Sequence, residues 1–164
     1  MKKRFYYETA GEQERIDAMA IRDLADRYTD AVNHRDWDTY KDCWIEDSVW
    51  DLGVPVDRKE EGIDAIMKEV QRAVGGMDLF VQMPHAFTLL ELDENTAKAR
   101  VTLNEIGRVK EDAEDILGDA TGMNILAVYT DDLVKSDDGL WRYKKRRYDV
   151  RLINPTAPDG EVIS

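Results

Sequence analysis

The chain reads as an α+β domain in which a strongly curved, mixed or antiparallel sheet wraps around helices. Three observations predict it. Helical periodicity is concentrated in the first half, the second half carries successive strand-like runs, and the turn Ser136-Asp137-Asp138-Gly139-Leu140-Trp141 joins two of those runs as a hairpin. Helices gathered early, followed by an antiparallel meander, place the helices on one face of one sheet.

The first element is a long amphipathic helix from about Glu12 to Asn33. Ile21, Leu24, Tyr28, Ala31 and Val32 recur at three- and four-residue steps, while Arg22, Asp23, Asp26 and Arg27 take the opposite side. Asn33-His34 marks its end, where asparagine tolerates a left-handed backbone. Asp36 caps a short second helix that presents Trp37, Tyr40 and Trp44. Ser48–Pro55 reads as a strand closed by Gly53 and Pro55. A third helix follows from about Glu61 to Val74 and stops at Gly75-Gly76. Strands are then predicted over Phe80–Leu92, Ala97–Val109, Met123–Val134 and Trp141–Leu152. The acidic loop at residues 111–119 lies beside strand ends, where it could act as a lid.

Composition narrows the function classes. A length of 164 residues suits a single domain, here 12–153, with an N-terminal extension over 1–11 and a turn-rich tail over 154–164. Hydrophobic residues make up 43% and charged residues 35%, and the net charge is −12. That charge argues against nucleic acid and anionic membrane surfaces as partners. No stretch is apolar enough to span a bilayer, and the basic N-terminus lacks the apolar core of a secretory signal. Cys43 is the single cysteine, so no intrachain disulfide forms, and one cysteine with two distant histidines does not make a zinc site. Glycine-rich nucleotide motifs and a nucleophile elbow are missing. A cytoplasmic domain that uses no cofactor and no metal is the expectation.

Candidate chemistry rests on five side chains. His85, within the apolar run Leu79–Leu92, can exchange a proton near neutrality and serve as a general base. Tyr28, on the apolar stripe of the first helix, carries a phenol inward that needs a partner. Asn33 can orient an imidazole or a substrate carbonyl. Trp50 would floor a cavity for a flat or cyclic ligand. In the last strand, strict alternation groups Arg142, Lys144, Arg146 and Tyr148 on one face, where an inward Arg146 could hold an anion.

The stretch AIRDLADRYTDAVNHRDWDTYKDCWIEDSVWDLG, the later MPHAFTL and the NILAVYTDDLVKSDDGLWRYKKR hairpin resemble the SnoaL-like branch of the nuclear transport factor 2-like superfamily, across about residues 15–152. The resemblance implies a conical barrel around a pocket. It is nearest to the cofactor-free lyases: scytalone dehydratase, hexachlorocyclohexane dehydrochlorinase and bile-acid 7α-dehydratase. In those enzymes a helix-1 aspartate pairs with a strand histidine, which removes a proton while a β group departs.

By register His85 matches that histidine, Tyr28 matches the bile-acid enzyme's helix-1 tyrosine, and Trp50 and Arg146 match pocket residues of the dehydrochlorinase. Asn33 stands where the aspartate would be, and an amide fixes a tautomer without stabilising an imidazolium. Ketosteroid isomerases share the fold, but their strand-end aspartate falls at Leu52, beside Asp51. The resemblance thus implies catalytic His85, Tyr28 and Asn33 with substrate-binding Trp50 and Arg146. The reaction would be that of a lyase or isomerase on a cyclic or aromatic oxygenated molecule. A non-catalytic ligand-binding or assembly module with the same pocket is the alternative. Sheet-to-sheet homodimers or homotrimers are common in the superfamily and are expected here.

Overall fold

The computed structural model describes residues 4–111, 113 and 121–161, so the acidic loop proposed as a lid falls almost wholly outside the described residues. Three helices, α1 (Glu12–His34), α2 (Trp37–Asp42) and α3 (Ile63–Gly75), pack against one six-stranded sheet. Its strands are β1 (Trp44–Leu52), β2 (Arg58–Glu61), β3 (Met77–Leu92), β4 (Thr96–Val109), β5 (Gly122–Lys135) and β6 (Trp141–Asn154). The spatial order is β2-β1-β6-β5-β4-β3. All pairs are antiparallel except β1 with β6, which run parallel. The sheet is strongly curved and open, with β2 and β3 as its edges. Strand β2, between β1 and α3, is an element the sequence reading missed; its four residues, Arg-Lys-Glu-Glu, carry no apolar alternation.

Local chemistry sets the boundaries. Asp36 caps α2 by accepting the Thr39 amide at 3.1 Å. Helix α1 ends one residue later than expected, and the left-handed position belongs to Arg35 (φ 56°) rather than Asn33. Gly53 is required where β1 leaves the sheet: a Cβ there would stand 2.8 Å from the Tyr148 carbonyl oxygen, the same oxygen its amide donates to at 2.9 Å.

Two bulges decide which side chains face inward. In β3, Pro84 pairs with Leu103 and Ala86 with Thr102, leaving His85 as the extra residue. In β6, Tyr143 pairs with Leu133 and Lys145 with Asp132, leaving Lys144 extra. The second bulge corrects the strict alternation read from sequence: Trp141 and Tyr143 are buried before it and Arg146 and Tyr148 beyond it, whereas Arg142 and the exposed Lys144 are not buried with them.

The core is one cluster between α1, α3 and the inner sheet face, including Ile21, Leu24, Ile66, Val70, Leu103 and Tyr143. Asp17 of α1 pins the helix to the β5–β6 hairpin, accepting from Trp141 Nε1 at 2.9 Å and Lys135 Nζ at 2.8 Å. No described helix is long and apolar enough to cross a membrane.

Candidate functional site

The curved inner face encloses an apolar cavity of about 280 Å³. Residues of β1 (Trp50) and of β3 (Phe80, Gln82) line it together, although three strands lie between them in the sheet. Curvature alone brings those two walls around one space. Helix α1 contributes Tyr28 and Val32, and α3 contributes Val70 and Val74. These positions follow from burial: the apolar stripe that packs each helix on the sheet also faces the space the sheet cannot fill.

A polar band crosses the apolar lining. Glu105 of β4 is buried at 6% exposure. Its Oε1 accepts from Gln82 Nε2 at 2.7 Å, and its Oε2 accepts the hydroxyl of Tyr148 on β6. The Gln82 amide also donates to the Tyr129 hydroxyl at 3.1 Å. Burial raises the Glu105 carboxyl above the ordinary carboxylate range, and the bonds from Tyr148 and Gln82 and the nearby Arg146 charge pull it only part of the way back. Burial also pushes the Tyr129 and Tyr148 phenols well up, so both remain proton donors. A carboxyl and a phenol in direct contact on a dry wall can pass a proton between them.

Behind this band lies a buried cation. Arg146 (1% exposed) makes a two-pronged contact with Asp131 (1%), Nε to Oδ1 at 2.9 Å and Nη2 to Oδ2 at 3.1 Å. Its guanidinium carbon sits 4.2, 3.8 and 4.1 Å from the ring centres of Tyr28, Tyr129 and Tyr143. Burial opposes the charge on Arg146 and raises the Asp131 carboxyl alike. For Arg146 the Asp131 carboxyl and the surrounding phenols outweigh burial and hold the guanidinium pKa well above its usual value. For Asp131 burial wins, and the Arg146 contact brings the carboxyl only part of the way back.

The five residues singled out from sequence do not come together. Tyr28 and Trp50 line the cavity. The Tyr28 hydroxyl meets that of Tyr40 at 3.3 Å, and burial raises its pKa. Arg146 stands one layer behind the wall, its charge committed to Asp131 and the rings, so it does not meet a ligand as a substrate clamp. Asn33 does not orient a histidine. Its amide grips the β3 backbone at Gln82, accepting from the amide nitrogen at 2.7 Å and donating to the carbonyl at 2.9 Å.

His85 is the largest correction. It is exposed, outside the cavity lining, and its Nε2 lies 2.9 Å from Asn104 Oδ1 on the outer face of the sheet. The cause is the bulge at Pro84, which shifts the phase of β3. Counting back in twos from buried Leu89 puts His85 inward; across the bulge the inward residues are Gln82 and Phe80. Asp51 bonds Arg147 Nη1 at 3.2 Å while Leu52 lines the cavity, so no isomerase-type aspartate stands at that strand end.

Glu105, Gln82 and Tyr129 escaped the sequence reading. The signal was present in the inward stripe Val101, Leu103, Glu105, where a period of two lands on an acid. Among the described residues, no three histidine, cysteine, aspartate or glutamate side chains assemble as a metal-binding group.

The model of the SnoaL-like domain matches residues 13–147. This chain belongs to the SnoaL-like family. Solved structures agree in fold. A type 2 hexachlorocyclohexane dehydrochlorinase superposes with a TM-score of 0.76 at 17% identity, covering 93% of this chain and 98% of that one. The type 3 enzyme from Novosphingobium barchaimii LL02 gives 0.75 at 19% identity, with 94% and 100% covered. A protein of Novosphingobium aromaticivorans DSM 12444 assigned to the scytalone dehydratases gives 0.72 at 17%, with 91% and 97% covered. At such identities the likeness establishes the fold of this SnoaL-like chain, and its chemistry has to be argued from its own residues. No curated protein matches the chain.

Proposed function

We propose that this SnoaL-like domain is a dehydratase-type lyase or isomerase acting on a small cyclic or aromatic oxygenated molecule, with the Glu105–Tyr148 pair as its proton-transfer group in place of a histidine. The observation that carries the reading is the placement of Glu105: a carboxyl on the wall of an apolar cavity, bonded to a phenol and an amide on neighbouring strands. Similarity in fold to dehydrochlorinase and scytalone dehydratase structures supports the reaction class.

In the dehydratase form, the Glu105 carboxylate takes the proton α to a substrate carbonyl. The bond to a β-hydroxyl breaks, and Tyr148 gives its proton to the departing oxygen, which leaves as water. The proton gained by Glu105 then passes along their shared hydrogen bond to the phenolate. Both side chains are restored, and no redox partner is required. In the isomerase form the same carboxyl returns the proton to another carbon.

The test is exchange of solvent deuterium into the α position of 1-indanone, followed by proton NMR. Wild type should accelerate exchange, Glu105→Gln should lose about 100-fold or more of that acceleration, and His85→Ala should keep it. Equal rates for wild type and Glu105→Gln would sink the catalytic reading.

A binding module is the second reading. It is favoured by the positions of Asn33 and His85, which serve the backbone and the outer face rather than the cavity. No acceleration by wild type, with the ketone nevertheless seated in the cavity, would select it.

A further inference from the structure

Glu105 is held by more than its phenol. Gln82, 3% exposed on β3, commits both hydrogens of its side-chain amide to the cavity wall. One goes to Glu105 Oε1 at 2.7 Å and the other to the Tyr129 hydroxyl at 3.1 Å. The amide oxygen faces α1, where the Thr29 hydroxyl lies 3.4 Å from it and 3.1 Å from the Ala25 carbonyl. Charge excludes the reverse orientation, which would set the amide oxygen against a carboxylate oxygen.

The backbone of Gln82 is fixed as well. Strand β3 is an edge of the sheet, and Asn33 of α1 takes up the main-chain N–H and C=O of Gln82 as a neighbouring strand would. The asparagine accepts at 2.7 Å and donates at 2.9 Å. Only an amide does both, because an aspartate has no hydrogen for the carbonyl.

These contacts make the two oxygens of Glu105 inequivalent. Oε1 faces a nitrogen that can only donate, so no proton lies along that bond. Oε2 faces the Tyr148 hydroxyl, which can donate or accept. Once Tyr148 has released its hydrogen, Oε2 has lost its donor while Oε1 keeps the bond from Gln82. Oε2 is then the more basic of the two.

We propose that Gln82 is the positioning residue of the Glu105 base: anchored to α1 through Asn33, it fixes the carboxyl plane and reserves Oε2 for the proton that moves. This rests on the proton-transfer reading of the Glu105–Tyr148 pair. The substrate C–H breaks as an O–H forms at Oε2, and the electron pair of that C–H expels the β-hydroxyl, which leaves as water with the Tyr148 proton. The Oε2–H bond then breaks as the Tyr148 O–H re-forms. The proton already lies on its return path, so the carboxyl has no rotation to make. Other groups facing the carboxyl are Tyr28 on α1, Tyr129 on β5 and the Arg146 charge on β6. Helix α3 adds Glu69 and Arg72 to the cavity lining, paired with each other.

The experiment compares wild type, Gln82→Leu and Gln82→Glu by the pH profile of deuterium exchange into 1-indanone and by a ¹³C titration of the Glu105 carboxyl. Wild-type exchange should rise with pH as Glu105 ionises. Leucine cannot donate, so Gln82→Leu should move both midpoints to higher pH and lower the plateau rate about 10- to 100-fold. A protonated carboxyl donates to Glu105 as the amide does, whereas an ionised one repels it. Gln82→Glu should therefore exceed Gln82→Leu on the acid side and lose activity as its second carboxyl ionises, giving a bell-shaped profile.

A purely structural glutamine would alter stability and leave the midpoints alone. Wild-type midpoints in Gln82→Leu therefore overturn the positioning role while the catalytic reading of Glu105 stands. No exchange by wild type overturns the catalytic reading and the positioning role with it. If Gln82→Leu fails to fold, wild type alone decides. Its Gln82 side-chain N–H signals, identified by their loss in Gln82→Glu, should move downfield as Glu105 ionises. Signals that stay still through that titration overturn the proposal.

Discussion

Tyr148 on β6 donates its phenolic hydrogen to Oε2 of Glu105 on β4, reaching over the intervening strand β5. This bond links strands that share no backbone ladder, and it sets the protonation behaviour of the cavity wall. Burial favours the neutral carboxyl, whereas Tyr148 and Gln82, by donating to it, favour the charged form.

The sign of the Glu105 shift gives a pH dependence. Its folded pKa is raised, so the folded state holds this proton more tightly than the unfolded chain does. The associated stability is fully present below the ordinary glutamate range and is lost as pH rises through the folded value. Urea unfolding across that window should show wild type losing stability with rising pH, and Glu105→Gln should lack this component. Tyr148→Phe removes a donor to the charged form, so a ¹³C titration of the Glu105 carboxyl should move further upward. A downward move would contradict the geometry.

Asn33 makes the second prediction. Asn33→Ala removes both bonds to the Gln82 backbone and should cost about 1–3 kcal/mol in urea unfolding. Asn33→Asp introduces the aspartate that the resemblance implies for this position, yet it also sets a carboxylate oxygen against the Gln82 carbonyl. It should destabilise the fold and create no His85-dependent exchange, because His85 bonds Asn104 on the opposite face. Exchange gained by Asn33→Asp and lost again on adding His85→Ala would refute this.

The Arg146–Asp131 pair should be intolerant of single changes. Arg146→Met or Asp131→Asn leaves one buried charge uncompensated and should cost about 3–5 kcal/mol. The double variant should cost less than the sum of the two, since it leaves no stranded charge. Chemical denaturation of the four proteins measures the coupling, and simple additivity would show that the two groups do not act as a pair.

The sequence made the helices and the four long strands readable because each carries a periodic apolar face: Ile21, Leu24 and Tyr28 on α1, for example, or Val101 and Leu103 on β4. Strand β2 escaped because pairing with β1 leaves its charged side chains largely in solvent. Tyr28 and Trp50 were legible as cavity residues because large aromatic side chains on buried stripes have few other places to go. His85 was misjudged because of a bulge, whereas Arg146, read correctly as inward, was misjudged because of its partner. A single bulged residue inverts every later inside-outside assignment in a strand, and no local pattern marks Pro84-His85 or Lys144 as bulges. Arg146 faces inward, but its partner Asp131 lies on another strand, and only the folded register brings the two charges together.

The parallel contact between β1 and β6 has a kinetic side. Asp51 and Arg147, joined across it, are 96 residues apart in the chain. During synthesis α1 can pack on β3, and β1 can pair with β2 and pack on α3, before β6 has been made. The β1 edge that joins β6 has to wait for the last strand. That seam is the least local pairing of the sheet, so an open strand edge beside Trp50 stays exposed until the chain beyond Trp141 has been made.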